Sequence, residues 1–153
     1  MGKEVLVQYA EMVEEIKDIR RRIAKLEQQI RQLEKMQAAD TVKGSKGEWN
    51  VYGPIKITGV PLPGYERKKA VLTRLISLLN KKETELLELM ARAEEYIDSV
   101  EKSELRIMFR LYYIDGLPWW KVAQQMNKMF PGRRIGFTED SCRMRNNRFF
   151  EKN

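Results

Sequence analysis

The sequence predicts an all-α chain: a long N-terminal antiparallel helical hairpin of coiled-coil type over residues 1–100, followed by a C-terminal domain of three short helices over residues 101–153. Three observations carry that expectation. Two stretches repeat apolar residues at alternating steps of four and three, a connector rich in Gly, Pro, Lys and Ser separates them, and the last third is punctuated by two turns containing Gly. Composition agrees. With 42% hydrophobic and 33% charged residues in a chain of 153, the protein is too apolar to stay disordered and too charged to bury most of its length.

The first seam is Val5, Tyr9, Met12, Ile16, Ile19, Ile23, Leu26, Ile30 and Leu33, free of Gly and Pro throughout. Its 3.5-residue period is that of a coiled coil. The neighbouring positions are Glu, Lys, Arg and Gln, good helix formers whose stems cover the flanks of the seam. The second seam, Leu72, Leu75, Leu79, Lys82, Leu86, Leu89, Ala93, Tyr96 and Val100, keeps the same steps and is broken only by Lys82. Ile76, Leu87, Met90 and Ile97 widen its apolar face. The two seams cover equal intervals, each about 42 Å at 1.5 Å per residue. Equal lengths favour a fold-back that brings Val5 near Val100 and Leu33 near Leu72. Pairing of each seam with a second copy is left open, as is a homodimer built on the hairpin through the wider second face.

Residues 38–64 read as the connector. Within it, Val51 to Val60 alternates like a short strand bounded by turn residues. Lys43-Gly44-Ser45-Lys46-Gly47 is a faint match to a phosphate-binding loop, but it lacks the glycine spacing and the leading strand, and the expected reading is a basic linker.

In the last third, Ser103 to Tyr113 places Leu105, Met108, Phe109 and Tyr112 on one face and ends at Ile114-Asp115-Gly116. Pro118 then suits the first turn of a second helix whose inward face is Trp119, Val122, Ala123 and Met126. After a loop containing Pro131-Gly132-Arg133-Arg134, Thr138 can cap a third helix with Glu139 and Asp140 at the positive end of its dipole. On that helix Cys142, Arg145, Asn146 and Phe149 gather on one side. Arg143, Met144, Asn147 and Arg148 lie towards the other. Arg can bond guanine twice, Asn can bond adenine twice, and Met can touch a thymine methyl, so the outward set suits a major groove. Helix, glycine turn, helix, loop and polar basic helix is the order of a helix-turn-helix.

Charge follows the same division. The chain carries +7 with a pI near 9.5, and from Glu101 onward eleven basic and six acidic residues leave a net +5. Excess basic charge concentrated in one domain suggests a polyanionic partner. With no histidine and one cysteine, the chain cannot supply a Ser-His-Asp or Cys-His pair, a zinc cluster or an internal disulfide. No enzymatic activity, metal or cofactor is expected. No apolar run approaches the ~18 to 20 residues that span a bilayer, the first residues lack the apolar stretch of a signal peptide, and Leu6 stands where a myristoylation signal wants Ser or Thr. A cytoplasmic, nucleoid-associated protein without membrane contact is the expectation.

The run Leu111-Tyr112-Tyr113-Ile114-Asp115-Gly116-Leu117-Pro118-Trp119-Trp120-Lys121-Val122-Ala123 resembles the helix-turn-helix of sigma-factor region 4, and Thr138-Glu139-Asp140-Ser141-Cys142-Arg143-Met144-Arg145 resembles the start of its recognition helix. Among such proteins the chain is most similar to the small phage and prophage regulators of the ArpU and RinA type. The resemblance covers about the last third and implies a sequence-specific, double-stranded-DNA-binding regulator of phage late transcription, with host RNA polymerase as a further partner. Two departures qualify it. The connection from Lys128 to Phe137 exceeds a tight turn, and Cys142 stands where an aliphatic residue is usual.

The candidate DNA-binding set is Lys128, Arg133, Arg134, Ser141, Arg143, Met144, Asn147 and Arg148, with the two loop arginines as phosphate contacts rather than base readers. Trp119 is expected in the core, Trp120 outside it, Cys142 as inert packing, and Arg145 beside the core with an acid or a phosphate. Two other classes stay open: the DNA-recognition small subunit of a phage terminase, and a coiled-coil protein that binds a protein partner and whose basic tail is incidental.

Overall fold

The structure, a computed structural model, describes residues 2–44 and 62–152. Every regular element among them is helical: α1 (Gly2–Gly44), α2 (Leu62–Asp98), α3 (Ser103–Phe109) with a π-helical continuation (Arg110–Ile114), α4 (Trp119–Met129) and α5 (Glu139–Lys152). The all-α expectation holds. No described helix is long and apolar enough to cross a membrane.

Both long helices run into the span read from sequence as connector. No helix breaker stands between Leu33 and Gly44, so α1 continues to that glycine, and α2 starts with Pro63 in its first turn, where the missing N–H is not needed. The strand expected at Val51 to Val60 and most of the Lys43–Gly47 segment lie outside the described residues.

The chain divides into two compact units, Ile16–Lys82 and Met1–Glu15 with Glu83–Asn153. In the first, α1 buries Ile16, Ile19, Ile23 and Ile30 of the expected seam, and Leu26 and Leu33 are half-buried. Leu72, Leu75 and Leu79 of α2 are half-buried. Tyr65 Oη donates to the Glu34 carboxylate at 2.7 Å and Lys68 Nζ to Gln29 Oε1 at 3.0 Å. Tyr65 and Lys68 precede Leu72, the last residue of the second seam at this end, because the helices outrun their apolar repeats.

The second unit takes in both Met1–Glu15 and Glu83–Asn153. Leu6, Tyr9, Leu89, Ala93, Ile97 and Val100 share one buried cluster with Phe109 and Tyr113, and Val5 packs on it. A second cluster joins Met108, Leu111, Val122, Ala123, Met126, Phe137 and Cys142. Helix α3 and its continuation are thus apolar on two faces. Met108 and Leu111 turn to one cluster, Phe109 and Tyr113 to the other. Phe149 and Phe150, from the last turns of α5, lie against Phe109 with ring centroids 5.2 Å away in each case. Pairs of this kind add about 0.5 to 1.5 kcal/mol beyond the area they bury.

The α3 element ends as its sequence foretells, with a wider last turn. Asp115 N–H bonds Arg110 O at 2.9 Å, and Leu117 N–H bonds Leu111 O at 3.0 Å. Gly116 takes φ 70°, a conformation that costs a residue with a Cβ roughly 1 kcal/mol or more.

Candidate functional site

Helix α5 is placed by a cap, a polar core contact and an ion cluster. Thr138 begins it. Ser141 N–H donates to Thr138 Oγ1 at 3.1 Å while Thr138 N–H donates to Ser141 Oγ at 2.9 Å, a reciprocal capping box with serine in the role usually filled by Glu or Gln. Ser141, one of the expected DNA contacts, therefore has its hydroxyl engaged in starting the helix. One turn on, Cys142 is fully buried. Burial pushes its thiol up, against the opposing pull of Arg145 and Ser141, so the thiolate that would make it reactive is disfavoured.

Asn146 is buried in the next turn, where Tyr113 Oη donates to its Oδ1 at 2.9 Å. Burial pushes the Tyr113 phenol up to about 12. The bond ties α5 to the π-helical turn. A buried amide so placed needs its partner, because an unsatisfied polar group in a core carries its whole desolvation penalty.

The loop before α5 is held from both sides. Asn127 of α4 makes two bonds to Phe137, accepting from its N–H at 2.7 Å and donating to its carbonyl at 2.9 Å. Gly136 makes room for this clasp, since a Cβ there would sit 3.1 Å from Asn127 Oδ1. From the other side Glu104, in the first turn of α3, accepts two bonds from Arg133 at 2.7 and 2.9 Å and one from Arg145 at 3.0 Å. Both guanidinium groups lie near the Phe137 ring, 4.3 and 5.1 Å from its centroid. Burial pushes the Glu104 carboxyl up, but the bonds from Arg145 and Arg133 outweigh it and hold the group below its ordinary value.

This cluster sorts the expected site residues. Arg133 is committed to Glu104, as is Arg145, which takes the acid-paired position allowed for it. Arg134 and Lys128 are exposed. On α5, Arg143, Met144, Asn147 and Arg148 are all exposed, with Met144 49% open. Arg143 is paired with Asp140 one turn earlier, and Asn147 Oδ1 accepts a long bond from Asn146 at 3.4 Å. Along the adjoining face, Arg145, Arg148 and Lys152 line a groove of about 840 Å³ together with Lys102 and the acids Glu101 and Glu104. The arrangement offers an exposed helix face of Arg143, Met144, Asn147 and Arg148, with Glu139 and Asp140 in the first turn of the same helix.

Trp119, expected in the core, is half-buried against the second cluster and stacks on Tyr112, centroids 3.8 Å apart and planes 10° from parallel. Trp120 is 49% exposed with Lys121 Nζ near its ring. Among the described residues no group of three or more His, Cys, Asp or Glu side chains is placed to hold a metal ion. Sequence reasoning did not single out Glu104 or Asn127. Neither stands in a recognisable motif, and their partners lie 10 to 41 residues away.

No family model, no curated protein and no solved structure matches the chain.

Proposed function

We propose that α3, α4 and α5 act as a helix-turn-helix domain that reads double-stranded DNA in a sequence-specific way, with α5 as the helix that enters the major groove. The observation that carries this reading is the division of α5. Cys142 and Asn146 are locked into the core while Arg143, Met144 and Asn147 stand open on the far side, the residue types that recognise guanine, a thymine methyl and adenine. Lys128, Arg134 and Arg148 supply phosphate contacts that orient the domain. Arg133 and Ser141 act one step back, fixing the loop and the helix start.

The resemblance to sigma region 4 and to phage regulators of the ArpU and RinA type gives the biological setting: control of phage late genes at a promoter, with host RNA polymerase as a second partner. The long helices form an antiparallel hairpin that sets subunit number or meets the polymerase.

The test is to incubate the purified protein with sheared DNA of its source genome at physiological salt and sequence what is retained. Enrichment of one promoter-like segment upstream of structural or lysis genes is the expected result. Enrichment at the packaging start would transfer the protein to terminase, and no enrichment would defeat the DNA reading.

A further inference from the structure

We infer that Asp140 is a specificity-determining residue of α5, its carboxylate holding the Arg143 guanidinium in one orientation for a guanine edge. The inference rests on the DNA reading proposed above and adds a residue and a base to it.

The ion-paired arginines of this unit are of two kinds. Arg133 and Arg145 share Glu104, with 30% and 34% of their side chains exposed. Arg110 binds Glu94 and Asp98 and is 36% exposed. Each of these pairs joins separate elements, so each has a structural task. Arg143 is different. Its partner Asp140 lies three residues earlier on the same helix, the pair joins nothing to anything else, and the arginine side chain keeps 48% of its surface open. With Asp140 itself 77% exposed, the contact biases the orientation of an exposed guanidinium and has no other task in the fold.

That restriction is useful to a base reader. Arginine has five N–H donors, and the bond to Asp140 engages Nη2. Enough donors remain for the two bonds to guanine O6 and N7, the commonest specific arginine contact in the major groove. A free arginine can swing to the nearest phosphate instead and bind any sequence. The Asp140 carboxylate opposes that alternative twice, by holding the guanidinium and by repelling phosphates near it. A group that weakens binding to every duplex while sharpening one base pair raises specificity, because specificity is a difference between affinities.

The experiment is selection from a randomised duplex library with the wild type, Arg143→Ala and Asp140→Asn, each checked for its melting temperature. The expected wild-type motif contains one guanine position that Arg143→Ala abolishes. Asp140→Asn should lower the preference at that position by up to roughly fivefold, the upper range for an exposed ion pair, leave the other positions intact, and bind random duplex at least as tightly. A motif unchanged in Asp140→Asn overturns the role of Asp140 alone. So does a motif that weakens equally at every position alongside a lower melting temperature, which is the behaviour of a helix-start residue. A wild type that selects no motif overturns the DNA reading itself.

Discussion

Glu104 shows how one side chain can decide what its neighbours are free to do. By accepting from both Arg133 and Arg145 it holds the α4–α5 loop and α5 against the first turn of α3. Its carboxyl is held below its ordinary value of 4.5, so its contribution to stability is present above that value and is lost as pH falls through the lowered one. Glu104→Gln should therefore unfold at a lower temperature than wild type at pH 7, and the gap should shrink as melts are repeated through the acid range. A gap that stays constant down to pH 3 would show that the carboxylate charge is not what holds the cluster. Tyr113 is the basic-side counterpart. Its phenol ionises at 10.0 when unperturbed and is pushed up to about 12 in the fold, so stability is full below pH 10 and falls as pH rises beyond it. Tyr113→Phe leaves the buried Asn146 Oδ1 without its donor and should cost about 1 to 3 kcal/mol at neutral pH. Denaturant curves above pH 10 should show that deficit narrowing, since only the wild type has this phenol to ionise.

At the scale of the helix, the start of α5 is the feature most directly written in the chain. Thr138 was readable as a cap because its hydroxyl precedes two acids and a polar stretch. For the reciprocal partner Ser141 the sequence points instead to a DNA contact, since serine serves equally well in either place. Thr138→Ala removes the acceptor for Ser141 N–H and should destabilise the domain by about 1 kcal/mol. Thr138→Ser should restore most of it, as measured by denaturant unfolding; equal loss in both variants would mean that the threonine methyl, not the hydroxyl, matters. The inner side of α5 was likewise legible, because Cys142 and Asn146 repeat at helical spacing. The π-helical turn was not. Its sequence, Arg110 to Ile114, has ordinary helix periodicity, and what distinguishes it is the presence of two cores on opposite sides of one short element. Periodicity reports one buried face well and a pair of faces poorly. Nor could it locate Asn127 or Glu104, whose bonds connect residues distant in sequence.

Over the whole molecule the net +7 is unevenly spread, with +5 falling after residue 100, and the structure divides that excess further. Arg110, Arg133 and Arg145 are tied to carboxylates that join elements together, whereas Lys128, Arg134 and Arg148 are exposed. Counting charge along the sequence cannot separate these groups, although only the second kind has its charge available to a polyanion. Under the DNA reading proposed above, the distinction is measurable through salt. Each phosphate neutralised contributes about −0.9 to the slope of log K against log salt concentration. Lys128→Ala, Arg134→Ala and Arg148→Ala should each make that slope shallower by about 1 while leaving the melting temperature nearly unchanged. Arg133→Ala should do the reverse, lowering the melting temperature with little change in slope, because its charge is spent on Glu104. Binding titrations on one duplex across a salt series decide between the two behaviours. If Arg133→Ala alters the slope as much as Arg134→Ala does, the Glu104 pair opens on binding and the loop is a backbone clamp.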